Sequence, residues 1–250
     1  MHTIPVQLKS ALRKVPGYRW AQLLYRLAKG VESRNAALIL LSPPKGLFQP
    51  YGTTSADRYP LIFECVQSHL GRGRPCRILS FGCSTGEEVF SLRPYFTVSQ
   101  IVGIDINRHN IARCKARLRK MQDPEIRFVC GGSTAGEESD SLDVIFAMAV
   151  FRHGNLNLPL PPLYCGAWIR FEEFEACVAD FARCLKRGGL LVIQNAMFRF
   201  EDTAVFHLFK PEPCAEVQAE GPFYGRNNSL LPPSCRSAVI FRKLEDLITH

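Results

Sequence analysis

The chain has 250 residues, of which 46% are apolar and 22% charged, and its formal net charge is +8. These values are typical of globular proteins and exclude a disordered tail, a collagen-like fibre and a coiled coil. The positive charge is confined to residues 1–30 and 107–120, each with six basic and no acidic side chains, while the rest of the chain is mildly acidic. We therefore expect no nucleic-acid partner.

Ten cysteines are scattered singly along the chain, without a Cys-x-x-Cys pair of the kind that binds zinc. We interpret them as reduced, structural thiols in a cytoplasmic protein with no metal site. No run approaches 18 apolar residues, so we expect no membrane-spanning helix. The N-terminus also lacks the uninterrupted apolar stretch of a secretory signal.

Residues 1–75 predict a helical N-terminal extension. Apolar side chains repeat at helical spacing over 20–27, and Gly30 follows as a helix end. Because basic side chains border this apolar stripe, residues 1–30 could pack on the core, cover a substrate cleft as a lid, or form a peripheral membrane contact. Pro60 then marks the first turn of another helix.

From Arg77 onward, short apolar runs alternate with helical stretches. The runs lie at 78–81, 101–104, 126–129, 142–146 and 190–193, and the helices near 86–93, 107–120 and 171–186. This alternation indicates a Rossmann-like α/β fold, a doubly wound and mostly parallel sheet covered on both faces. We expect one domain over 76–250, an end of the last helix at Gly188-Gly189, and an added edge strand at 238–241.

The most informative segment follows the first strand and reads Gly82-Cys83-Ser84-Thr85-Gly86-Glu87-Glu88. Its glycines allow a tight turn and the close approach of a ligand to the backbone. The second strand ends at Asp105, where an acidic side chain can accept hydrogen bonds from both hydroxyls of a ribose. Neighbouring strand ends meet at the crevice where open parallel sheets bind ligands, so the pattern predicts a nucleoside site.

The two glutamates after the second glycine discriminate between nucleosides. A dinucleotide site normally has Gly-x-Gly-x-x-Gly and holds a pyrophosphate on the helix N-terminus, which Glu87 and Glu88 would repel. S-adenosylmethionine (SAM), with an ammonium group and no phosphate, fits better. Three alternatives stay open: an NAD(P)-dependent oxidoreductase, a non-catalytic nucleoside-binding protein of the same fold, and a structural interpretation in which the glycines only turn the chain and Asp105 caps the next helix.

Residues 78–107, 142–148 and 185–195 together resemble the class I SAM-dependent methyltransferases. The loop at 82–88 resembles, more narrowly, that of the chemotaxis-receptor (CheR-type) methyltransferases. The resemblance implies that this loop passes beneath the methionine part of SAM, that Glu87 faces its amino group and that Asp105 holds the ribose. It also implies three further sets of contacts: Ile106 and Asn107 beside the ribose and adenine, Gly131, Gly132 and Ser133 at the adenine, and Ala147 and Met148 near the sulfonium.

The sequence departs from that pattern at three places. Ser80 stands where an acidic residue usually precedes the first glycine by two, Ser84 replaces the middle glycine, and no receptor-docking hairpin follows Gly189. The resemblance therefore implies a methyltransferase (EC 2.1.1.-) whose acceptor is open, with a small molecule favoured and a protein carboxylate as the alternative.

The substrate side is predicted beyond the fourth strand, where 149–170 form a long Pro-rich connection. We nominate His153 as a catalytic base or substrate contact, with a surface or capping role as the alternative, and Arg152 as a contact for an acidic substrate. A base is needed only when the acceptor arrives protonated, because a sulfonium methyl is already activated. A second polar set follows the fifth strand: Asn195, Arg199, Glu201 and Asp202, of which Arg199 and Asp202 could simply pair.

Overall fold

The computed structural model describes residues 46–49, 54–214, 217–219 and 221–245, together with Gly17, Tyr25 and Leu41. The apolar stripe and basic patch predicted for residues 1–30 lie outside the described residues. The chain divides into two compact units, Met1–Pro44 and Lys45–His250. The second unit contains every element described below, while the predicted domain boundary at residue 75 stays a prediction.

Four α-helices and seven strands make up the described part of the second unit. In chain order they are α1 (Pro60–Leu70), β1 (Arg77–Phe81), α2 (Glu87–Leu92), β2 (Gln100–Asp105), α3 (Arg108–Met121), β3 (Ile126–Cys130), β4 (Leu142–Met148), α4 (Phe171–Cys184), β5 (Leu185–Gln194), β6 (Phe209–Glu212) and β7 (Ile240–Lys243). Short 3₁₀ turns follow β4 and β5.

The strands form one sheet in the order β3-β2-β1-β4-β5-β7-β6. Strands β1 to β5 are parallel, and β7 and β6 continue the sheet in antiparallel pairing. The direction in which successive strands are added reverses between β1 and β4. This is the topological switch point at which doubly wound sheets open a ligand crevice, so the predicted Rossmann-like fold is confirmed.

Each face of the sheet buries its own apolar cluster, since alternate strand residues point to opposite sides. One face packs α4 against Leu79, Phe81, Ile145 and Leu191, and it contains most of the buried phenylalanines. The other face packs the remaining helices against the intervening residues, as in the edge-to-face contact of Phe63 in α1 with Phe146 in β4, at 5.6 Å between ring centroids.

Two predicted boundaries differ from the structure. Helix α4 ends at Cys184, and the predicted stop at Gly188-Gly189 lies inside β5, because Leu185 is extended and pairs with Leu142. The glycines instead accompany a register shift between β4 and β5. The apolar run at 238–241 does enter the sheet, but β7 lies between β5 and β6, and the described edge strand is β6.

Within the described part of the chain, no helix is both long enough and apolar enough to cross a membrane.

Candidate active site

The candidate site lies at the carboxyl ends of β1, β2, β4 and β5, around the switch point of the sheet. Gly82 and Cys83 donate backbone hydrogen bonds to the carbonyl of Ile104, at 2.8 and 3.0 Å, so the loop after β1 is fastened to the end of β2. The predicted loop and the predicted acid therefore come together as expected from two adjacent parallel strands.

The glycines of the loop serve a conformational and a packing need. Gly82 and Gly86 have φ values of 72° and 86°, a region that L side chains rarely adopt. A Cβ on Gly82 would lie 2.5 Å from Val150 Cγ2, and one on Gly86 would lie 3.0 Å from the Cys114 sulfur. The close approach that requires glycine here is thus made by the protein's own side chains, and it ties the loop to the segment after β4.

Asp105 is 8% exposed and its carboxylate organises the base of the site. It accepts hydrogen bonds from the backbone N–H groups of Ser84 and Asn107, both at 2.8 Å, and from Asn110 Nδ2 at 3.3 Å. Burial raises its pKa, which these three bonds partly offset. The cap of α3 is Asn107, whose side chain accepts from the His109 N–H, so Asp105 positions the turn before the helix.

The two glutamates of α2 have different surroundings. Glu87 lies toward solvent and pairs with Arg117 of α3 at 2.7 Å. Glu88 points back to β1, where its Oε1 accepts a 2.7 Å hydrogen bond from the hydroxyl of Ser80. Ser80 is fully buried and stands at the position where an acidic residue was expected. A carboxylate therefore lies beside the end of β1, although it comes from the first turn of α2.

The protonation of Glu88 is the most perturbed among the acids of the site. Burial of its carboxyl raises the pKa to about 7, against the lowering effects of the Ser80 hydrogen bond and of the Arg58 charge. The Glu88 side chain nevertheless keeps some area exposed to solvent. A cationic group placed beside Glu88 would stabilise its ionised form.

The other predicted cofactor residues lie around the same strand ends. The N–H of Gly131 donates to the carbonyl of Asp105 at 3.0 Å, which brings the segment after β3 to the site. Ala147 and Met148 end β4 and point to opposite faces of the sheet. The remaining positions, Cys83, Thr85, Ile106, Gly132 and Ser133, lie on the three connecting loops and stay predictions as ligand contacts.

A polar pair on the β4–β5 side joins two distant parts of the chain. Asn195, directly after β5, donates from Nδ2 to the hydroxyl oxygen of Tyr59 at 2.8 Å, and Tyr59 immediately precedes α1. The Arg58 guanidinium carbon lies 5.2 Å from the centroid of the Tyr59 ring. Burial raises the pKa of Tyr59, and the positive charges of Arg58 and Arg152 oppose that rise. Asn195 was predicted as a polar group on this side; Tyr59 was missed, because nothing in its local sequence marks it.

The ends of β4 and β5 are strained where they meet this pair. Ala149 and Asn195 have φ values of 58° and 54°, uncommon for residues with a Cβ. The Ala149 N–H donates to the carbonyl of Gln194 at 2.8 Å, which fixes the two strand ends together. The Gln194 side-chain oxygen is buried without a hydrogen-bond partner. Strain and an unsatisfied polar atom concentrate at functional sites.

His153 has a structural partner. Its Nδ1 accepts a hydrogen bond from the Asn155 N–H at 3.2 Å and caps the short 3₁₀ turn after β4. It is 9% exposed, and burial lowers its pKa. These contacts favour the capping alternative, and its nomination as a base stays a prediction.

The other polar residues after β5 are engaged within the protein. Arg199 pairs with Asp202 at 3.7 Å, as the alternative interpretation anticipated. Glu201 accepts hydrogen bonds from the hydroxyl of Ser237 and the N–H of Ala238, and so holds the segment before β7. Among the residues described, no three His, Cys, Asp or Glu side chains converge as a metal site would require.

The arrangement fits a zwitterionic nucleoside such as SAM. The Ser84 hydroxyl is buried in the loop without a partner, so a polar ligand atom can satisfy it. Asp105 accepts three hydrogen bonds and an ionised carboxylate has about four acceptor positions, which leaves capacity for a hydroxyl. Glu88 offers an acidic partner to an ammonium group.

Residues 79–193 match the family model described as a methyltransferase domain. This segment is therefore similar to a methyltransferase domain, in agreement with S-adenosylmethionine as the cofactor. No curated protein sequence matches the chain.

Solved structures with a similar fold include a candidate SAM-dependent methyltransferase from Methanococcus maripaludis, at 18% identity and a TM-score of 0.41, covering 54% of each chain. Another is the geranyl diphosphate C-methyltransferase of Streptomyces coelicolor, at 15% identity and 0.40, covering 54% of this chain and 44% of the other. A third is phosphoethanolamine N-methyltransferase 2 of Haemonchus contortus, at 19% and 0.38, covering 53% and 27%. The chain thus spans about half or less of these structures, and similarity at this level carries no information about the acceptor.

Proposed function

We propose that this protein transfers a methyl group from SAM to a polar acceptor bound over the ends of β4 and β5. The observation that carries the proposal is the pairing of two acids around one glycine loop, Asp105 at the end of β2 and Glu88 facing β1. A methyltransferase-domain match over the same strands supports it. It gives no support to the NAD(P)-dependent oxidoreductase or to a non-catalytic nucleoside-binding protein.

In this proposal, the cofactor is held at both of its polar ends. Asp105 accepts from the ribose hydroxyls, and the Ser84 hydroxyl bonds to a polar atom of the cofactor above the loop. Glu88 takes the place proposed for Glu87 at the amino group, because Glu87 is paired with Arg117. We assign Arg58, whose charge acts on Glu88, to the carboxylate next to that amino group. The remaining contacts follow the resemblance: Gly82, Cys83, Thr85, Gly86, Ile106, Asn107, Gly132, Ser133, Ala147 and Met148.

When bound, SAM supplies a methyl group on an activated sulfonium leaving group. The protein's part is then chiefly to align the acceptor with that methyl, and alignment of this kind contributes on the order of 7–11 kcal/mol to rate. Tyr59 is suited to this task because Asn195 fixes its oxygen and directs its proton away from the Asn195 amide. The unpartnered oxygen of Gln194 can accept from an N–H or O–H of the acceptor.

These groups favour a polar acceptor that both donates and accepts hydrogen bonds. We favour a small molecule, and a protein carboxylate is the second candidate. The CheR-like composition of the loop is the observation that supports the second one. A cytoplasmic location is part of the proposal, since all ten cysteines are free thiols.

The proposed transfer is tested with SAM carrying a labelled methyl group and a lysate of the cells that make the protein, depleted of small molecules in one portion and of macromolecules in another. Label transferred into a small-molecule product supports the favoured acceptor class, and label in protein supports the carboxylate alternative. No transfer into either portion by a protein that binds SAM would leave only the binding function.

A further inference from the structure

The connection between β4 and α4 exposes an unusual amount of apolar surface. Within residues 157–164, here called the apolar loop, Leu158, Leu160, Leu163 and Tyr164 are 42%, 87%, 79% and 56% exposed. Elsewhere in the described residues, large exposed apolar side chains occur singly along the chain. Grouped exposure of this kind marks a surface that contacts another molecule or a membrane.

The backbone in and next to the apolar loop is hydrogen-bonded to residues 224–230. The hydroxyl of Tyr224, a fully buried residue, donates to the carbonyl of Pro162 at 2.9 Å. The Leu230 N–H donates to the carbonyl of Leu163, and the Cys165 N–H donates to the carbonyl of Asn228, both at 2.9 Å. These bonds fix the backbone on both sides of Leu163, whose side chain is 79% exposed.

Two features of its backbone also lower the free-energy cost of transferring the apolar loop from water to an apolar phase. Three of its eight residues are proline and carry no N–H donor. The carbonyls of Pro162 and Leu163 are already hydrogen-bonded within the protein. Both features reduce the number of unsatisfied backbone groups, which lowers the cost of entering an apolar phase.

The charged residues nearest to the apolar loop in sequence lie on either side of it. Residues 154–169 contain no charged side chain, and Arg152 and Arg170 border this stretch on either side. The acids nearest in sequence are Glu172, which accepts from Asn228, and Glu173. Exposed leucines and an exposed tyrosine in an uncharged stretch, with an arginine on either side in sequence, suit the interface of a bilayer with anionic headgroups.

We propose that the apolar loop inserts into the interface of a lipid bilayer and docks the carboxyl ends of the strands against the membrane. A protein groove that reads polyproline segments suits the loop less well, because Pro161 and Pro162 are half-buried and the Pro162 carbonyl is occupied. The inference goes beyond the proposed function and does not depend on it. A methyl acceptor dissolved in or attached to the membrane would reach the site from this side.

The test is co-sedimentation of the full chain with vesicles of phosphatidylcholine and phosphatidylglycerol, compared with pure phosphatidylcholine. The double variant Leu160→Ser/Leu163→Ser removes the two most exposed leucines. The matched control is Leu61→Ser, since Leu61 is 51% exposed on α1. We expect the wild type and the control to sediment with both vesicle types, more strongly with the anionic one, and the double variant to bind about 30-fold more weakly.

Three results would overturn the proposal. The wild type could fail to sediment with either vesicle. The double variant could bind like the wild type, which would place any membrane contact outside the apolar loop. The double variant could abolish a concentration-dependent dimer seen by sedimentation velocity and leave vesicle binding unchanged, which would assign the surface to a second copy of the chain. Calorimetric binding of S-adenosylhomocysteine, measured on the same samples, reports separately on the cofactor site.

Discussion

The two halves of the candidate site are assembled differently. On the cofactor side, the contacts that define it join residues close in sequence, such as Ser80 with Glu88 and Ser84 with Asp105, 8 and 21 positions apart. On the acceptor side, the defining contact joins Tyr59 to Asn195, 136 positions apart. The first half is therefore carried by one strand–loop–helix–strand unit, whereas the second depends on how α1 is laid across the sheet.

In the proposed function, this difference would allow one fold to serve many acceptors. A locally encoded cofactor site is kept as a unit, while a long-range pair can be exchanged by changing one segment outside it. It also means that changes on the cofactor side should affect cofactor binding first, and changes on the acceptor side should affect turnover alone.

The largest effect is expected where the two halves touch, at Gly82. An alanine there combines a φ of 72° with a Cβ 2.5 Å from Val150, so we expect Gly82→Ala to lower the free energy of unfolding by about 3 kcal/mol. Gly73→Ala is the matched control, because Gly73 has a φ of 75° and nothing within 4 Å of the added atom. The control should lose about 1 kcal/mol. Equal losses of unfolding free energy for the two variants in urea would show that the close contact with Val150 is not the reason why glycine is needed at position 82.

Asp105→Ala is expected to weaken S-adenosylhomocysteine binding by about 100-fold, since it removes both the ribose partner and the bond that holds the Ser84 N–H. Isothermal titration calorimetry measures this loss directly. Asp123→Ala, which removes the partner of Arg93 away from the strand ends, is the control and should bind as the wild type does. Unchanged affinity in Asp105→Ala would remove the ribose assignment.

The pH dependence of SAM binding distinguishes Glu88 from Glu87 as the partner of the amino group. Because the pKa of Glu88 is raised to about 7, its proton must leave before it can pair with an ammonium group. Affinity should fall by up to about tenfold per pH unit below pH 7 and level off above it. In Glu88→Gln this change should disappear and affinity at pH 8 should drop by about 30-fold, whereas Glu87→Gln should behave as the wild type. A dependence lost in Glu87→Gln instead would restore the original assignment.

The same raised pKa predicts how the free energy of unfolding of the ligand-free protein depends on pH. A carboxyl whose pKa is higher in the folded than in the unfolded state stabilises the fold at low pH, and that contribution is lost as pH rises from about 4.5 to about 7. The loss is bounded by about 3 kcal/mol and should be absent in Glu88→Gln. Urea unfolding at several pH values measures it, and parallel curves for the two proteins would contradict it.

The smallest effects are expected at Tyr59. Tyr59→Phe and Asn195→Ala should each lower the turnover number by about tenfold while leaving S-adenosylhomocysteine affinity unchanged, because they loosen the acceptor and not the cofactor. The control is Tyr95→Phe, since the Tyr95 ring lies 5.6 Å from that of Phe63 in α1 and no hydrogen bond in the described part of the chain links Tyr95 to Asn195. If both Tyr59→Phe and Asn195→Ala turned over labelled SAM as fast as the control, the acceptor-side assignment would be wrong.

Most of the fold and the cofactor loop could be predicted from the sequence, because apolar runs and glycines act locally. The end of α4 could not, since the pairing of Leu185 with Leu142 outweighs the helical pattern that continues past Cys184. Strand β6 could not be predicted either, because Phe209–Glu212 contains a proline and two charged residues. It enters the sheet only through its pairing with β7.

Within the site, predictability falls with sequence separation. Asp105 was visible from its position at a strand end. The sequence shows that Ser80 stands where an acidic residue is usual. It does not show that Glu88 lies beside Ser80, because this contact is a hydrogen bond formed only in the folded chain. Tyr59 could not be predicted as a site residue, because its place in the site depends on Asn195 lying beside it in the folded chain.

The most direct test of the account is a calorimetric titration of the full chain with S-adenosylhomocysteine and, separately, with NAD. We predict saturable binding of the first with one site per chain and no heat from the second. Binding of NAD without S-adenosylhomocysteine, or of neither, would contradict the assignment of this loop to a methyltransferase cofactor.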